Sequence, residues 1–308
     1  LGIKIPTLCY AKGKRPNTSC MICVVEETRQ KRLLPACAAK AEAGMVIETD
    51  SEAVLHARRA VLELLLSEHV GDCEAPCERA CPAGLNIPLM LRCLMQEDLQ
   101  TAQTLARRAL VLPATLGRVC TAPCEAGCRR SSYDTSIAIR QTHGRVGELP
   151  YDEAEIPASD KKVAIVGAGP AGIAAAYVLR TLGYACCVYE QEPHAGGALR
   201  NFTEEQLPRE VLDAELLHLA HMGIEFIYDT EIGKTVPVQH LQETNDAVVV
   251  ACSLHVPASN NIFRAEEKKM PVRSIASGKQ AAHAVHTQLA GISDSNTPLY
   301  NSTMGRPP

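Results

Sequence analysis

The chain has 308 residues, of which 46% are hydrophobic and 21% are charged, and its formal net charge is −4. This composition is typical of a globular protein of two or three domains and excludes disordered and collagen-like chains. The negative net charge disfavours a protein that binds nucleic acid through a positive surface. The longest uncharged apolar stretch, residues 163–179, spans 17 residues and contains a proline. It is too short and too interrupted for a membrane span, and no secretory signal is expected.

Cysteine usage is the unusual feature of the composition, with 14 cysteines but no tryptophan and only three phenylalanines. Disulfide-rich secreted proteins are usually small domains without a sufficient core, whereas this chain is long and groups most of its cysteines at short spacings before residue 130. Grouped cysteines favour metal or iron–sulfur ligation in a reducing compartment, so a cytoplasmic protein is expected.

The hydrophobic patterns predict elements that change in type along the chain. Ser51 is a candidate N-cap, and helices are predicted after it, over Pro88–Met95 and over Leu99–Leu110. Strand patterns at 163–166 and 185–189 flank a further helix, which is the βαβ beginning of an α/β domain. The chain is therefore divided into three predicted domains: residues 1–50, 51–155 and 156–308.

The first domain carries four cysteines in the pattern C-x10-C-x2-C-x13-C, namely Cys9, Cys20, Cys23 and Cys37. Four thiolates, two of them on one tight loop, can complete a [2Fe–2S] cluster. With the preceding Ile5–Leu8 stretch, the pattern resembles the N-terminal ferredoxin-like module of the large iron–sulfur subunit of respiratory complex I, of iron-only hydrogenases and of some formate dehydrogenases. Zinc is the alternative, but zinc sites usually combine two close pairs. Only eight residues precede Cys9, so a β-grasp module is expected to be N-terminally incomplete.

The second domain carries a His-x3-Cys-x3-Cys-x3-Cys-Pro segment and a later Cys-x3-Cys-x3-Cys segment. Two cysteine triplets, each one ligand short of a four-iron site, suggest that ligands cross between the segments. Together with the turn at 86–88 and Gly117-Arg118-Val119 before the second triplet, residues 60–145 resemble the N-terminal helical domain shared by the small subunit of glutamate synthase and dihydropyrimidine dehydrogenase.

That resemblance implies two [4Fe–4S] clusters. The first would take Cys73, Cys77 and Cys128, with His69 where the family has a cysteine. The second would take Cys81, Cys120 and Cys124, with His143, or else Gln141, near the position of a family glutamine. The alternative for each histidine is a solvated surface residue. Cys93 falls within a helical pattern and is expected to pack in the core.

The third domain begins with a glycine-rich loop, Gly167-Ala-Gly169-Pro170-Ala171-Gly172, directly between a strand and a helix. The first two glycines let the chain turn and approach a pyrophosphate, the third allows close helix packing, and the helix N-terminus stabilises the phosphates. Glu190 ends the next strand, 18 residues beyond Gly172, and is placed to accept from ribose hydroxyls. The segment predicts a dinucleotide site.

Three later segments, at 196–200, 207–213 and 274–282, resemble the FAD domain of the same glutamate synthase family. The resemblance implies an FAD site whose further contacts are Gly197, Leu199, Arg200 and Gly278, with Glu267 where the family has a Gly-Asp pair. The family inserts a second nucleotide-binding domain after the strand that begins at Asp246. This chain crosses from Cys252 to Ile262 instead, so the NAD(P)H site of the family is expected to be absent.

Together these patterns predict a multidomain α+β and α/β protein with a partial β-grasp module, a helical cluster domain and a Rossmann-like FAD domain. The expected function is an electron-transfer iron–sulfur flavoprotein subunit of a larger oxidoreductase, with formate dehydrogenase-like or hydrogenase-like partner subunits and no catalytic residue of its own. One alternative is a stand-alone flavin-dependent oxidoreductase that acts on an unidentified donor. Others are an NAD(P)H-dependent reductase like the glutamate synthase small subunit, or a structural adaptor with an empty flavin fold.

Overall fold

The computed structural model describes residues 2–67, 74–151, 156, 159–257 and 259–291. Two predicted iron ligands, His69 and Cys73, lie outside the described residues. The chain divides into two compact units, one ending at Cys73 and one starting at Glu74. The helix after Ser51 thus belongs to the first unit, whereas the sequence pattern grouped it with the second domain.

The first unit is built on a small antiparallel sheet in the order β2-β1-β3. Its elements are β1 (Val24–Glu27), β2 (Arg32–Pro35), β3 (Ile47–Glu48) and the helix α1 (Glu52–Ser67). Ser51 is the predicted N-cap of α1: its Oγ accepts from Val54 N at 3.3 Å and donates to the Glu26 carboxylate of β1 at 2.5 Å. Arg58 of α1 donates to Val24 O at 2.7 Å, so α1 is fastened to the central strand at two points.

The second unit begins with six helices, and the predicted helices over 88–95 and 99–110 are confirmed among them. They are α2 (Pro76–Ala80), α3 (Ile87–Met95), α4 (Leu99–Leu110), α5 (Pro113–Val119), α6 (Pro123–Ala126) and α7 (Ile139–Glu148). Asn86 caps α3 by accepting from Leu89 N at 3.0 Å. Helices α5 and α7 cross at two glycines, where a Cβ on Gly117 would lie 2.4 Å from Gly144 Cα, so neither position accepts a side chain.

The same unit continues into a five-stranded parallel sheet with helices packed against it. The elements are β4 (Lys162–Val166), α8 (Pro170–Thr181), β5 (Ala185–Tyr189), α9 (Arg209–His221), β6 (Ile224–Ile227), α10 (Val238–Thr244), β7 (Ala247–Val250), β8 (Ile262–Arg264) and α11 (Pro271–Ala290). The strand order is β6-β5-β4-β7-β8, so the sheet reverses its winding at β4. Ligands bind at such a reversal, beyond the carboxyl ends of the strands.

One hydrophobic core runs through the helical and sheet parts of the second unit. It joins Met90, Leu112 and Leu116 of the helical part to Ile173 and Val285 of the sheet part. The two parts therefore hold each other in place by buried apolar contact. Among the described residues, no helix is long and apolar enough to cross a membrane.

Candidate cluster-binding and dinucleotide sites

The four cysteines before residue 50 come together in two neighbouring pairs. The Cys9 thiol hydrogen-bonds with Cys20, and the Cys37 thiol hydrogen-bonds with Cys23 and also feels the charge of Cys9. Cys23 directly precedes β1 and Cys37 follows β2, and Ala36 N donates to Cys23 O at 3.1 Å, so the hairpin positions the second pair. Two thiolates for each of two irons is the arrangement that a [2Fe–2S] cluster requires.

The thiols of this set differ in exposure and in the direction of their pKa shifts. Cys9, Cys20 and Cys37 are half-buried, while Cys23 is buried. Hydrogen bonds from the backbone and side chain of Cys20 lower the pKa of Cys9 to about 7. Desolvation, followed by the hydrogen bond with Cys23, raises the pKa of Cys37. Cys9 is therefore partly in its thiolate form at neutral pH.

The cysteines of the helical part lie on and around two short helices, α2 and α6. Cys77 lies in the first turn of α2, and Cys81 is the residue directly after its last turn, with an extended backbone. The two helices pack so closely that a Cβ on Gly127 would lie 3.3 Å from Pro76 O. Cys77 interacts with Cys128, at the far end of α6.

The other end of the same helix pair forms a second thiol set. Cys124 interacts with both Cys81 and Cys120, and Cys120 interacts with Cys81. Burial raises the pKa of Cys124 to about 12 and also raises those of Cys120 and Cys77. A buried thiol with a raised pKa ionises only if a cation or metal stabilises it, so both sets suit a buried metal cluster.

Arg140 of α7 supplies donors next to the second thiol set. Its Nη1 donates to Cys120 O at 3.1 Å, and its charge lowers the pKa of Cys120 against the larger effect of burial. Its Nε is buried and has no hydrogen-bond partner within the described part of the chain. A buried donor without an acceptor is costly, and a cluster sulfur at this place would accept from it. The residues therefore fit an iron–sulfur cluster here.

Within the described ranges, no three cysteine, histidine or acidic side chains come close enough to hold one ion. A four-iron cluster takes one thiolate on each iron, which spreads its ligands over a wider space than a zinc ion does.

His143 is buried in α7 rather than solvated. Its Nδ1 lies 3.2 Å from Pro113 O, and burial lowers its pKa to about 4. A carbonyl can only accept, so Nδ1 carries the proton and Nε2 keeps its lone pair, as in a metal-ligating histidine. The interactions of His143 with described residues are with Pro113 and Arg140 and include no cysteine. Gln141, the other candidate, is exposed, and Cys93 is buried in α3 as expected.

The glycine-rich loop forms the turn that its spacing predicts. Gly167 has φ +102°, and a Cβ there would lie 2.9 Å from Ala251 O. A Cβ on Gly172 would lie 1.9 Å from Gly167 O, so the third glycine is required for α8 to pack against the turn. Helix α8 then starts at Pro170, directly beyond Gly169. The loop thus points the first amides of α8 towards the cleft.

Glu190 lies at the end of β5 beside this loop and is buried. Its carboxylate accepts from Ala168 N at 2.7 Å and from Glu192 N at 3.0 Å. It lines a cavity of about 470 Å³ at the carboxyl ends of the strands, together with Gly167, Gly169, Gly197 and Glu267. That volume is in the range of small-molecule and cofactor sites.

Glu267 reaches the N-terminus of α8 from the segment before α11. Its Oε1 accepts from Ala171 N at 2.9 Å, and a Cβ on Gly169 would lie only 2.3 Å from the same oxygen. The carboxylate therefore holds the position where a pyrophosphate binds at such a loop. Glu267 must shift when a dinucleotide pyrophosphate enters.

The remaining predicted contacts take structural positions. Leu199 is buried in the core and is not part of the cavity lining. Arg200 donates to Ala195 O at 2.8 Å and pairs with Asp213 at 2.5 Å. Gly278 lies inside α11, which starts at Pro271. Its role is close packing, since a Cβ there would lie 2.0 Å from Ala171 O.

Comparison with known families divides the chain in the same way. Residues 1–52 match a 2Fe-2S iron-sulfur cluster binding domain, residues 47–149 match dihydropyrimidine dehydrogenase domain II with its 4Fe-4S cluster, and residues 165–223 match an NAD(P)-binding Rossmann-like domain. The three matches follow one another along the chain. The expected multidomain fold, with its ferredoxin-like, helical and Rossmann-like parts, is therefore confirmed.

Curated relatives are redox subunits of greater length. The chain is 35% identical over 190 residues to the NADPH-Fe(3+) oxidoreductase subunit beta of Geobacter sulfurreducens, which covers 59% of this chain and 28% of that protein. It is 33% identical over 221 residues to the NADP(+)-dependent formate dehydrogenase subunit beta of Moorella thermoacetica. This match covers 63% of this chain and 31% of that protein. It is 33% identical over 216 residues to the NAD-dependent dihydropyrimidine dehydrogenase subunit PreT of Escherichia coli O157:H7. This match covers 68% of this chain and 52% of that protein. The chain thus spans between about a quarter and half of these relatives.

Among solved structures, FprA of Mycobacterium tuberculosis in complex with NADPH is 24% identical, with a TM-score of 0.29, over 34% of this chain and 25% of FprA.

Two charged residues of the sheet part contact the helical part and were not singled out from the sequence. Glu215 of α9 accepts from Ala114 N at 2.9 Å and from Thr115 N at 2.8 Å, and so caps α5. Lys279 of α11 donates to Ala83 O at 2.8 Å and to Ala109 O at 2.9 Å. No local pattern marks either residue, because their partners lie 100 or more positions away.

Proposed function

We propose that this chain is an electron-transfer iron–sulfur flavoprotein subunit of a larger oxidoreductase. The observation that carries the proposal is the pair of buried thiol sets at the two ends of α2 and α6, in the same compact unit as a glycine-rich dinucleotide cleft. FAD converts two-electron into one-electron transfer, and the clusters carry single electrons onwards. The chain's own residues hold, orient and bury these groups.

The proposed ligand sets follow the grouping of the thiols. Cys9, Cys20, Cys23 and Cys37 hold a [2Fe–2S] cluster. Cys77 and Cys128, with Cys73 and His69, hold one [4Fe–4S] cluster. Cys81, Cys120 and Cys124, with His143, hold the second [4Fe–4S] cluster, and Arg140 Nε donates to it.

The content of the purified chain tests this proposal. About ten irons per chain are expected, eight in [4Fe–4S] clusters and two in a [2Fe–2S] cluster, together with one flavin. Iron, acid-labile sulfide and flavin analysis, with low-temperature EPR of the reduced protein, measures each group separately. A zinc-loaded protein without reducible clusters would overturn the assignment.

Glu267 gives a sharper test of the FAD site. Its carboxylate repels the pyrophosphate for which it must make room, so Glu267→Gln is expected to tighten FAD binding. The Kd for FAD is expected to fall about two- to fivefold, which is the effect of removing one negative charge at a helix N-terminus. Titration of the flavin-depleted chain with FAD measures this Kd. The control is Glu266→Gln, which changes the exposed residue next to Glu267. Weaker binding in the Glu267 variant would mean that the carboxylate instead accepts from the ribityl hydroxyls.

A reductase that takes hydride directly from NAD(P)H is the second candidate. It is favoured by the match of residues 165–223 to an NAD(P)-binding domain and by the names of the relatives. Against it, β7 leads to β8 through residues 251–261 without an inserted domain, so hydride has no docked donor beside the flavin. Anaerobic mixing with NADH or NADPH decides between them: rapid flavin bleaching at micromolar nucleotide supports the reductase, and bleaching only with a partner subunit supports the electron-transfer subunit.

The partners that we propose are other subunits of a redox complex, of the formate dehydrogenase or hydrogenase type, and the proposed location is cytoplasmic. The grouped, unpaired thiols require a reducing compartment to remain ligands. Co-purification of the tagged chain under anaerobic conditions, followed by mass spectrometry, identifies the partner subunits.

A further inference from the structure

Lys279 places a cation of the Rossmann-like part inside the cluster domain. Its ammonium donates to Ala83 O at 2.8 Å and to Ala109 O at 2.9 Å. Ala83 comes two residues after the cluster cysteine Cys81, and Ala109 lies in the last turn of α4, where the helix dipole attracts a positive charge. Two fixed carbonyls thus hold a normally flexible side chain in one position.

The charge of Lys279 acts on Cys81. Burial lowers the pKa of Lys279, and the Cys81 thiolate counteracts that effect. The other titratable group that faces Lys279 is His283, one turn along α11, whose pKa is lowered by burial and by the charges of Lys279 and His286. An ammonium has three N–H groups, of which the two carbonyls take two, so one N–H remains for the thiolate side.

The two four-iron thiol sets differ in their charged neighbours. Cys81 interacts with Lys279, and Cys120 interacts with Arg140, against one acid, Glu125. In the other set, Cys77 interacts with the acid Glu78, and Cys128 interacts with Arg130, whose side chain is exposed and already paired with Asp134. One-electron reduction makes a cluster more negative by one charge without making or breaking a bond, and a nearby buried cation stabilises that charge. The set near Lys279 therefore favours the reduced state.

Lys279 also follows Gly278, the residue of α11 that packs on α8. A Cβ on Gly278 would lie 2.0 Å from Ala171 O, in the first turn of the dinucleotide-binding helix. Consecutive residues of one helix thus contact the first turn of α8 and the helical part that carries Cys81.

We propose that Lys279 is a positioning residue that raises the reduction potential of the cluster held by Cys81, Cys120 and Cys124 and so makes it the one-electron partner of the flavin. This inference rests on the proposed function. The electron comes from the reduced flavin or, in the experiment below, from dithionite, and the cluster is the group reduced.

The test is an EPR-monitored dithionite titration of the complete, anaerobically purified chain. Lys279→Gln is expected to decrease the equilibrium constant for reduction of one [4Fe–4S] cluster about tenfold. For a one-electron couple, this lowers the midpoint potential of that cluster by about 59 mV. Lys279→Arg, which keeps the charge, restores the potential. Arg273→Gln removes a charge from an exposed position of the same helix and leaves all potentials unchanged.

A second variant protects the test against a folding defect. His283→Glu leaves Lys279 in place but sets a negative charge beside it, so a smaller shift in the same direction is expected. Intact clusters with unchanged potentials in both Lys279→Gln and His283→Glu would overturn this inference alone. Equal shifts of all three clusters would also overturn it. A wild-type chain without reducible clusters would overturn the proposed function itself.

Discussion

Cys9 of the first unit and Cys124 of the helical part lie in opposite environments. Cys9 is half-buried in a loop, and its neighbours lower its pKa to about 7. Cys124 is buried in α6, and burial raises its pKa to about 12. One set is organised by a hairpin close in sequence, whereas the other is assembled from two segments that are brought together by helix packing.

The difference shows two ways of preparing a cluster site. Thiols that ionise near neutral pH are ready to take up iron without a change in the surrounding fold. Buried thiols with raised pKa values become thiolates only when a metal replaces their protons. Folding and cluster assembly are therefore coupled. We therefore expect the first unit to depend on its cluster for function, and the helical part to depend on its clusters for stability as well.

Replacement of single cysteine ligands tests this difference and is expected to give the largest effect, on iron content and on thermal stability. Cys124→Ser is expected to remove about four of ten irons and to lower the thermal unfolding midpoint of the chain, because a buried site is left without its cluster. Cys20→Ser is expected to remove about two irons and to leave that midpoint nearly unchanged. Cys93→Ala, in the core but outside the thiol sets, is the control and should keep all the iron. Equal loss of stability in the Cys20 and Cys124 variants would contradict the comparison.

Alkylation of the cluster-free chain measures the two environments directly. At pH 7.5 a thiol with a pKa of about 7 is mostly thiolate, whereas one with a pKa of about 12 is almost entirely protonated. Because thiolate is the nucleophile, iodoacetamide should modify Cys9 roughly a hundredfold faster than Cys124. Mass spectrometry of time points gives both rates, and the difference should vanish in urea. Similar rates in the folded chain would exclude the proposed contrast.

Glu215 tests how far the helical part depends on the sheet part. Its buried carboxylate accepts from two backbone amides of α5, the helix that leads to Cys120. In Glu215→Gln the amide NH2 group faces a donor, so the free energy of unfolding should fall by roughly 1–3 kcal/mol. Glu210→Gln, on the exposed side of α9, should change it by less than about 0.5 kcal/mol. The two variants are compared by their midpoints of thermal unfolding. Equal changes in both midpoints would show that the hydrogen bonds from α5 to Glu215 do not contribute to stability.

His143 gives the smallest effect, through pH. Its pKa is lowered from 6.5 to about 4 by burial, so the unfolded chain binds this proton more tightly than the native chain. The contribution of His143 to stability is complete above pH 6.5 and is lost as pH falls towards 4, by about 1.3 kcal/mol between pH 7.5 and 5.5. In the cluster-free chain, the free energies of unfolding of wild type and His143→Gln, obtained from thermal unfolding at these two pH values, should diverge by this amount. Parallel decline in both proteins would show that His143 is not the titrating group.

The sequence also predicted much of the local structure correctly. The N-cap at Ser51, the helices over 88–95 and 99–110 and the turn at Gly167 follow from neighbouring residues, and the structure contains each of them. The predicted FAD contact at Gly278 stays a prediction, and the structure places this glycine inside α11, which begins at Pro271. The packing of a helix against α8, rather than local propensity, explains the glycine.

By itself the sequence determined the ligand types, their spacing and the glycine-rich loop, because iron–sulfur ligation and pyrophosphate binding depend on residues only a few positions apart. Only the tertiary structure decided which thiols share an environment, where Arg140 and Lys279 put their charges, and that Glu267 holds the first amide of α8. These features depend on contacts between segments up to 196 positions apart. Burial and charge at such contacts are set by how helices and strands pack, and no short pattern in the chain encodes them.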